Sequence, residues 1–332
     1  MNNYIKFISM RAVNYSIKLF IVLLCASIST MAQGDGPRFY WKALNGTNAI
    51  PVISSSLGGN ANPLDPSQRV VPGADFEATM SMAGYVKFLP VLKRSAFVSV
   101  IVPMGRVSST VNLNGLNYSN TARGFGDPML QFNMNIIGPK AIMNIPDMLR
   151  YKPGFSVDIV TSLAIPIGEY NNESPLNIGQ NRWYGRIGMP VVWQIGAWVP
   201  GKRTTFEFLP AVWLFGNNND FTGKKMETAP MYQLEAHLTR DFMERLWGSF
   251  NVISYSGGKA TIDGVEGTSL NNLGLGGTLG YQLNQNMQLT LSYASTVNDK
   301  NPEDLKIDGF RLTFIYGWHK LIEGMHRLKS NE

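Results

Sequence analysis

The chain has 332 residues, a net charge of +6, 33 glycines, 18 prolines, three histidines and one cysteine. That length admits one large or two ordinary domains, and the glycine and proline content with repeated short strand patterns favours one all-β unit. Acids and bases alternate without a basic stripe, so no nucleic-acid partner is expected, and so few histidines and cysteines leave little for a metal or cofactor site.

The first 32 residues read as an export signal. Lys6, Arg11 and Lys18 precede an apolar run from Leu19 to Ile28, and Thr30-Met31-Ala32 offers a small-residue cleavage site before Gln33. An uncleaved anchor is the alternative, but the run is short for a span. Leu24 before Cys25 is the wrong context for lipoprotein processing. Cleavage removes three basic residues and no acid, lowering the charge from +6 to +3, and takes away the only cysteine. A mature chain without an internal disulfide needs a sizeable core or a closed barrel. Beyond the leader no apolar run reaches the length of a membrane-crossing helix.

Two-residue alternation then predicts twelve strands, near 38–44, 76–88, 95–104, 129–137, 154–166, 183–197, 204–215, 230–240, 246–256, 271–283, 287–297 and 309–318. The clearest alternation sets Phe76, Ala78, Met80, Met82, Gly84, Val86 and Phe88 against Glu77, Thr79, Ser81, Ala83, Tyr85 and Lys87. Long connections at 45–75, 105–128, 167–182, 216–229, 257–270 and 298–308 alternate with shorter ones, as in up-and-down barrels with short periplasmic turns and long outer loops. Residues 138–153 are a longer inner connection in which Ile145 to Leu149 forms a helical turn. The expected fold is an all-β, transmembrane, antiparallel up-and-down β-barrel over residues 33–318, with a periplasmic tail at 319–332. The expected place is the outer membrane of a Gram-negative bacterium, reached through the barrel-assembly machinery.

From Phe76 onward the apolar parity carries no Asp, Glu, Lys or Arg. The opposite parity, assigned to the lumen, carries Glu77, Lys87, Asp158, Arg186, Gln194, Glu207, Glu235, His237 and Arg311. A Lys or Arg facing mid-bilayer lipid costs about 2 to 4 kcal/mol, so a membrane would enforce this segregation. A soluble β-sandwich also hides one face, but it explains less well the aromatics at strand ends: Trp183, Tyr184, Trp198, Trp247, Tyr255, Tyr316 and Trp318, which fit interfacial girdles. Pro190 and Pro210 fall inside strands and predict bulges or breaks. Gly274, Gly276 and Gly280 fall on the inner parity, where they either let a plug approach the wall or serve curvature.

Several stretches resemble the outer-membrane proteins of the MetA-pathway of phenol degradation family. They are Arg123-Gly124-Phe125-Gly126-Asp127-Pro128, Ala164-Ile165-Pro166-Ile167-Gly168-Glu169-Tyr170, Asn177-Ile178-Gly179-Gln180-Asn181-Arg182-Trp183 and Gln233-Leu234-Glu235-Ala236-His237. The resemblance runs from about Tyr40 to Trp318 and implies a channel for small, often hydrophobic molecules. One departure is the tail: barrels of this kind usually end on an aromatic residue, whereas here His319 to Glu332 follow Trp318.

The expected function is passive uptake of small hydrophobic or aromatic organic molecules, without cofactor or energy source. The alternative is a surface barrel that binds partners through loops 45–75 and 105–128. A lipase would need a Ser and a His on the outer barrel surface, whereas His237 falls on the lumen parity, so no enzyme is expected. A roughly symmetric 216–229 hairpin sets Glu207 across from His237, with Gln194 nearby, in a polar lumen cluster that would make flux depend on pH.

Overall fold

A computed structural model describes residues 34–113 and 116–322; the expected export leader and most of the tail lie outside the described residues. Its strands are β1 (Asn48–Gly59), β2 (Ala74–Val91), β3 (Arg94–Leu113), β4 (Leu116–Phe125), β5 (Met129–Ile137), β6 (Phe155–Ala164), β7 (Tyr184–Gly188), β8 (Val191–Gln194) and β9 (Thr204–Phe215). Then follow β10 (Asn218–Phe221), β11 (Lys224–Thr228), β12 (Met231–Asp241), β13 (Leu246–Gly257), β14 (Ala260–Ile262), β15 (Val265–Glu266), β16 (Leu270–Gln282), β17 (Met287–Thr296) and β18 (Ile307–Trp318). Among the described residues no helix is long and apolar enough to cross a membrane.

Antiparallel pairing runs from each stave to the next, and β18 pairs with β1 to close the ring. Twelve staves result because β4 with β5, and β7 with β8, are each one interrupted stave: β3 pairs both members of the first couple, and β6 and β9 pair both members of the second. The four-stranded sheet β10–β11–β14–β15 is separate from the barrel sheet and is built from the β9–β12 and β13–β16 connections. Closure leaves no free edge, which meets the backbone's demand for partners without water.

The count of twelve holds, but the first strand is misplaced by the sequence reading. Residues 38–44 are not a strand, and the first stave is Asn48–Gly59, inside what was expected to be the loop 45–75. Gly36, Pro37 and Arg38 explain the first error: Gly36 and Arg38 have φ of +91° and +65°, and proline brings no N–H to a ladder. Much of the expected loop 105–128 is likewise strand, because β3 and β4 pair up to Leu113 and Leu116 as a projecting hairpin. The other long connections gather at one end and the turns at the other, except the β5–β6 connection, which lies with the turns. The helical turn expected in the inner connection is α1 (Ile145–Arg150), capped by Asn144, whose side chain accepts from the Asp147 N–H.

The prolines act differently from one another. Pro190 marks the break between β7 and β8, where its carbonyl accepts from Asp158, whereas Pro210 sits within an unbroken β9 and its carbonyl accepts from Met189. The backbone groups near both prolines thus stay satisfied, as burial demands.

Candidate functional site in the barrel lumen

The chain before β1 lies inside the barrel and crosses it from wall to wall. The N–H groups of Asp35 and Gly36 donate to Glu235 of β12, at 3.1 and 2.9 Å. The Arg38 N–H donates to Glu207 of β9 at 2.7 Å, and the Trp41 indole donates to the other oxygen of that carboxylate at 3.0 Å. Arg186 of β7 donates to Asp35 at 2.7 Å, and Arg311 of β18 donates to the Gly34 carbonyl at 2.6 Å. Lys42 pairs with Asp158 of β6. Because β18 and β6 lie on opposite sides of the ring, the segment spans the full width of the lumen.

Near the end that carries the turns, Arg38 pairs with Asp241 at 2.7 Å and lies 4.2 Å from the ring centres of both Trp41 and Trp247. The second oxygen of Asp241 takes Arg203 at 2.6 Å and the Gly201 N–H at 3.1 Å. Burial pulls the Arg38 guanidinium down to about 10 against the pull of Asp241, which leaves it a cation at neutral pH. Burial also lowers Lys42 from the usual lysine value, opposed by Asp158. Hydrogen bonds to charged groups contribute about 1.5 to 3 kcal/mol each, so this set fixes the segment firmly.

Six of the nine expected lumen residues therefore meet at the lumen interior: Asp158, Arg186, Glu207, Glu235, His237 and Arg311. Glu207 and His237 are register partners, as the hairpin symmetry predicts. His237 nevertheless bonds to Glu235 and to Asn251, both at 2.8 Å, while Glu207 holds the N-terminal segment and Thr205. Gln194 does not join them; it bonds the backbone of Gly154 and Gly196 near the turn end.

Glu77 and Lys87 are the clear correction. Both are exposed and face outward, because β2 is inverted relative to the expected parity: Phe76, Ala78 and Met80 are buried inside. The reason is what fills the barrel. Toward the loops, Phe76, Ala78 and Met80 pack with Leu57, Val107, Ile178, Met231 and Ile307 in an internal apolar core. Toward the turns, Val86 and Phe88 pack with Phe39, Tyr40, Phe97 and Val160. The outer face of β2 carries small or polar residues, with its charges near the strand ends, Lys87 close to the turn and Asp75 and Glu77 close to the loops. Several expected girdle aromatics are internal too: Tyr184, Trp247 and Tyr255 are buried, while Trp183 is exposed.

The lumen is largely filled. Beside the N-terminal segment, a cavity of about 40 Å³ is bounded by Gly34, Pro37, His237, Gly274, Gly276 and Arg311, far below the roughly 300 Å³ of small-molecule sites. Gly274 and Gly276 thus lie beside the inserted segment, and Gly280 makes room for the Trp247 indole, which a Cβ there would meet at 2.0 Å.

At the loop end, three of the quoted motifs converge. Asp127 is buried and accepts from the N–H groups of Gly168 at 2.9 Å and Gln180 at 2.8 Å. A Cβ at Gly168 would lie 2.6 Å from the Gly126 backbone, so the glycine permits this contact. Arg182, also buried, donates to Thr228 at 2.6 Å and Ser67 at 3.2 Å and approaches Asp65 at 3.5 Å, tying three loops together. Among the described residues no group of three or more His, Cys, Asp or Glu is arranged to hold a metal.

Sequence reasoning allowed loops or the N-terminal segment to constrict the path, but it read 38–44 as a strand and missed the anchors Asp35, Arg38, Trp41, Lys42 and Asp241. The available signal was the run from Asp35 to Lys42, which mixes aromatics with both signs of charge where a wall strand would segregate them.

The sequence matches the family described as "Putative MetA-pathway of phenol degradation" over residues 60–314. No curated protein matches significantly. Among solved structures, the fold is similar to the crystal structure of an outer membrane channel from Pseudomonas putida F1, at 16% identity and a TM-score of 0.66, covering 86% of this chain and 99% of that one. A more distant likeness is the beta domain of the Bordetella autotransporter BrkA, at 9% identity and a TM-score of 0.48, covering 82% of this chain and 100% of that one.

Proposed function

This chain belongs to the MetA-pathway of phenol degradation family, and we propose that it is an outer-membrane channel for small hydrophobic or aromatic molecules, closed at rest by its own N-terminal segment. In this reading the turn end faces the periplasm and the loop end faces outward. A solute entering from outside meets the apolar core around Phe76, Met80 and Ile307, then the charged belt of Arg186, Glu235 and Arg311, then the aromatic region around Tyr40 and Phe97.

The single observation that carries the substrate class is the inversion of β2. A pore for sugars or ions would turn polar residues toward water, whereas here the inner face of β2 is apolar over most of its length. The inserted segment fills the path between the two apolar regions, so passage requires it to shift. The inner charges then serve first as its anchors.

Uptake into liposomes by the refolded mature barrel tests this reading. Entry of a small aromatic that crosses protein-free liposomes slowly, such as benzenesulfonate, faster than in those protein-free liposomes and faster than entry of a sugar of similar mass, is the expected result; no entry above the protein-free rate, even with the anchors removed, contradicts it.

A surface barrel that binds partners through its loops draws on one observation, the four-stranded sheet separate from the barrel sheet, with Val265 exposed. That reading predicts no solute entry under any condition.

A further inference from the structure

The long inner connection between β5 and β6 forms, with the β2–β3 turn, a cavity of about 720 Å³ at the turn end, outside the lumen site. Lys93, Lys140, Arg150 and Lys152 line it, against one acid, Asp147. All four cations are exposed, and none makes a salt bridge among the described residues. Its remaining wall is apolar, from Pro90, Pro139, Ile142 and Met143. Around it the surface stays apolar where a soluble rim would be polar: Leu92 is 84% and Leu149 78% exposed, with Met148 beside it on α1. Ile137 and Phe155, the strand residues flanking the connection, are exposed as well, so the outward apolar belt runs down to this cavity.

An apolar wall continuous with the membrane-facing belt, rimmed by four unpaired cations, fits an amphiphile with an anionic head. We propose that this cavity binds an anionic glycerophospholipid of the inner leaflet, of the phosphatidylglycerol class. The acyl chains lie along Leu92, Met148 and Leu149, and the phosphate takes Lys93, Lys140, Arg150 and Lys152. Basic pockets at the membrane surface recognise headgroups in this way, each cation near the surface adding to the attraction. The placement rests on the proposed outer-membrane orientation; the cavity and its charges do not depend on solute passage.

Native mass spectrometry of the full mature barrel in detergent, with added phosphatidylglycerol or phosphatidylcholine of the same acyl chains, tests the site. Phosphatidylglycerol should be retained at least about tenfold better, and both Lys140→Glu/Lys152→Glu and the milder Lys140→Gln/Lys152→Gln should lose that preference while keeping the heat-modifiable folded form. Equal retention of the two lipids overturns the proposal. So does undiminished phosphatidylglycerol binding in the charge-reversed barrel, displacement of the lipid by soluble cell-wall muropeptides, or a preference for lipopolysaccharide. A barrel that binds phosphatidylglycerol selectively but admits no solute sinks the channel reading and leaves this site standing. One that admits solute without lipid preference does the reverse.

Discussion

His237 and Glu207 stand directly opposite each other on β12 and β9, yet each spends its hydrogen bonds elsewhere, His237 on Glu235 and Asn251 and Glu207 on the N–H of Arg38 and the Trp41 indole. Proximity on the wall has therefore not made them a pair. Glu207 grips the inserted segment itself, and His237 orients the Glu235 carboxylate that grips it one turn of chain earlier.

Glu207→Gln and His237→Ala should each raise the fraction of time the channel is open, because each weakens a different attachment. In the double variant the effects on open probability should couple by about 0.5 to 3 kcal/mol, because the two groups face each other on adjacent strands, feel each other's charge and hold one segment. Purely additive effects in bilayer recordings would mean that the two grip the segment independently.

Asp241 serves Arg38, Arg203 and the Gly201 N–H at once from a buried position. Asp241→Asn leaves two cations short of their counter-charge, and breaking a buried pair this way costs about 3 to 5 kcal/mol. The expected outcome is a folded barrel with a lower unfolding temperature and easier opening, read by heat modifiability and by ion current on the same preparation.

Gly280 lies under the Trp247 indole, which in turn covers the Arg38 guanidinium. Gly280→Ala places a methyl group where the indole sits, so the ring must move and its stacking on Arg38 is lost, at a cost of about 1 to 3 kcal/mol. Tryptophan fluorescence should shift and the open fraction rise, whereas an unchanged spectrum would show that the wall yields instead of the ring.

Met134 and Ile159 are register partners on the outer face of β5 and β6. Arg at either should block assembly, at about 2 to 4 kcal/mol for a charge facing mid-bilayer lipid. Asp158→Asn, one residue away on the inner face, should assemble while losing the Lys42 ion pair and weakening the hydrogen bonds from Asn133 and Asn135. Comparable amounts of heat-modifiable folded protein in all three variants would contradict the assigned faces.

Much of the wall was legible because a two-residue period with one uncharged face is hard to produce any other way, and the hairpin register of Glu207 with His237 followed from loop symmetry alone. The direction of β2 was not legible, for a physical reason. Alternation states that a strand has two faces, but which one turns inward depends on what the barrel contains: Phe76, Ala78 and Met80 face inward onto loop residues such as Leu176, Ile178 and Leu305, and Val86 and Phe88 onto Phe39 and Tyr40 of the segment before β1. That segment, 34–47, was taken for a strand and a loop because Phe39, Tyr40 and Trp41 have strand-forming side chains. Its preference is overridden by Gly36 and Pro37 and by buried partners that no local pattern reveals.

Single-channel recording of the refolded mature protein beside Arg38→Ala/Lys42→Ala tests the central claim, that the N-terminal segment closes a lumen otherwise able to pass solute. The two substitutions remove the ion pairs with Asp241 and Asp158 without touching a stave. The account predicts brief, rare openings in the wild type and long-lived ones in the variant, at equal amounts of folded barrel. Identical conductance and open time in the two proteins would contradict it.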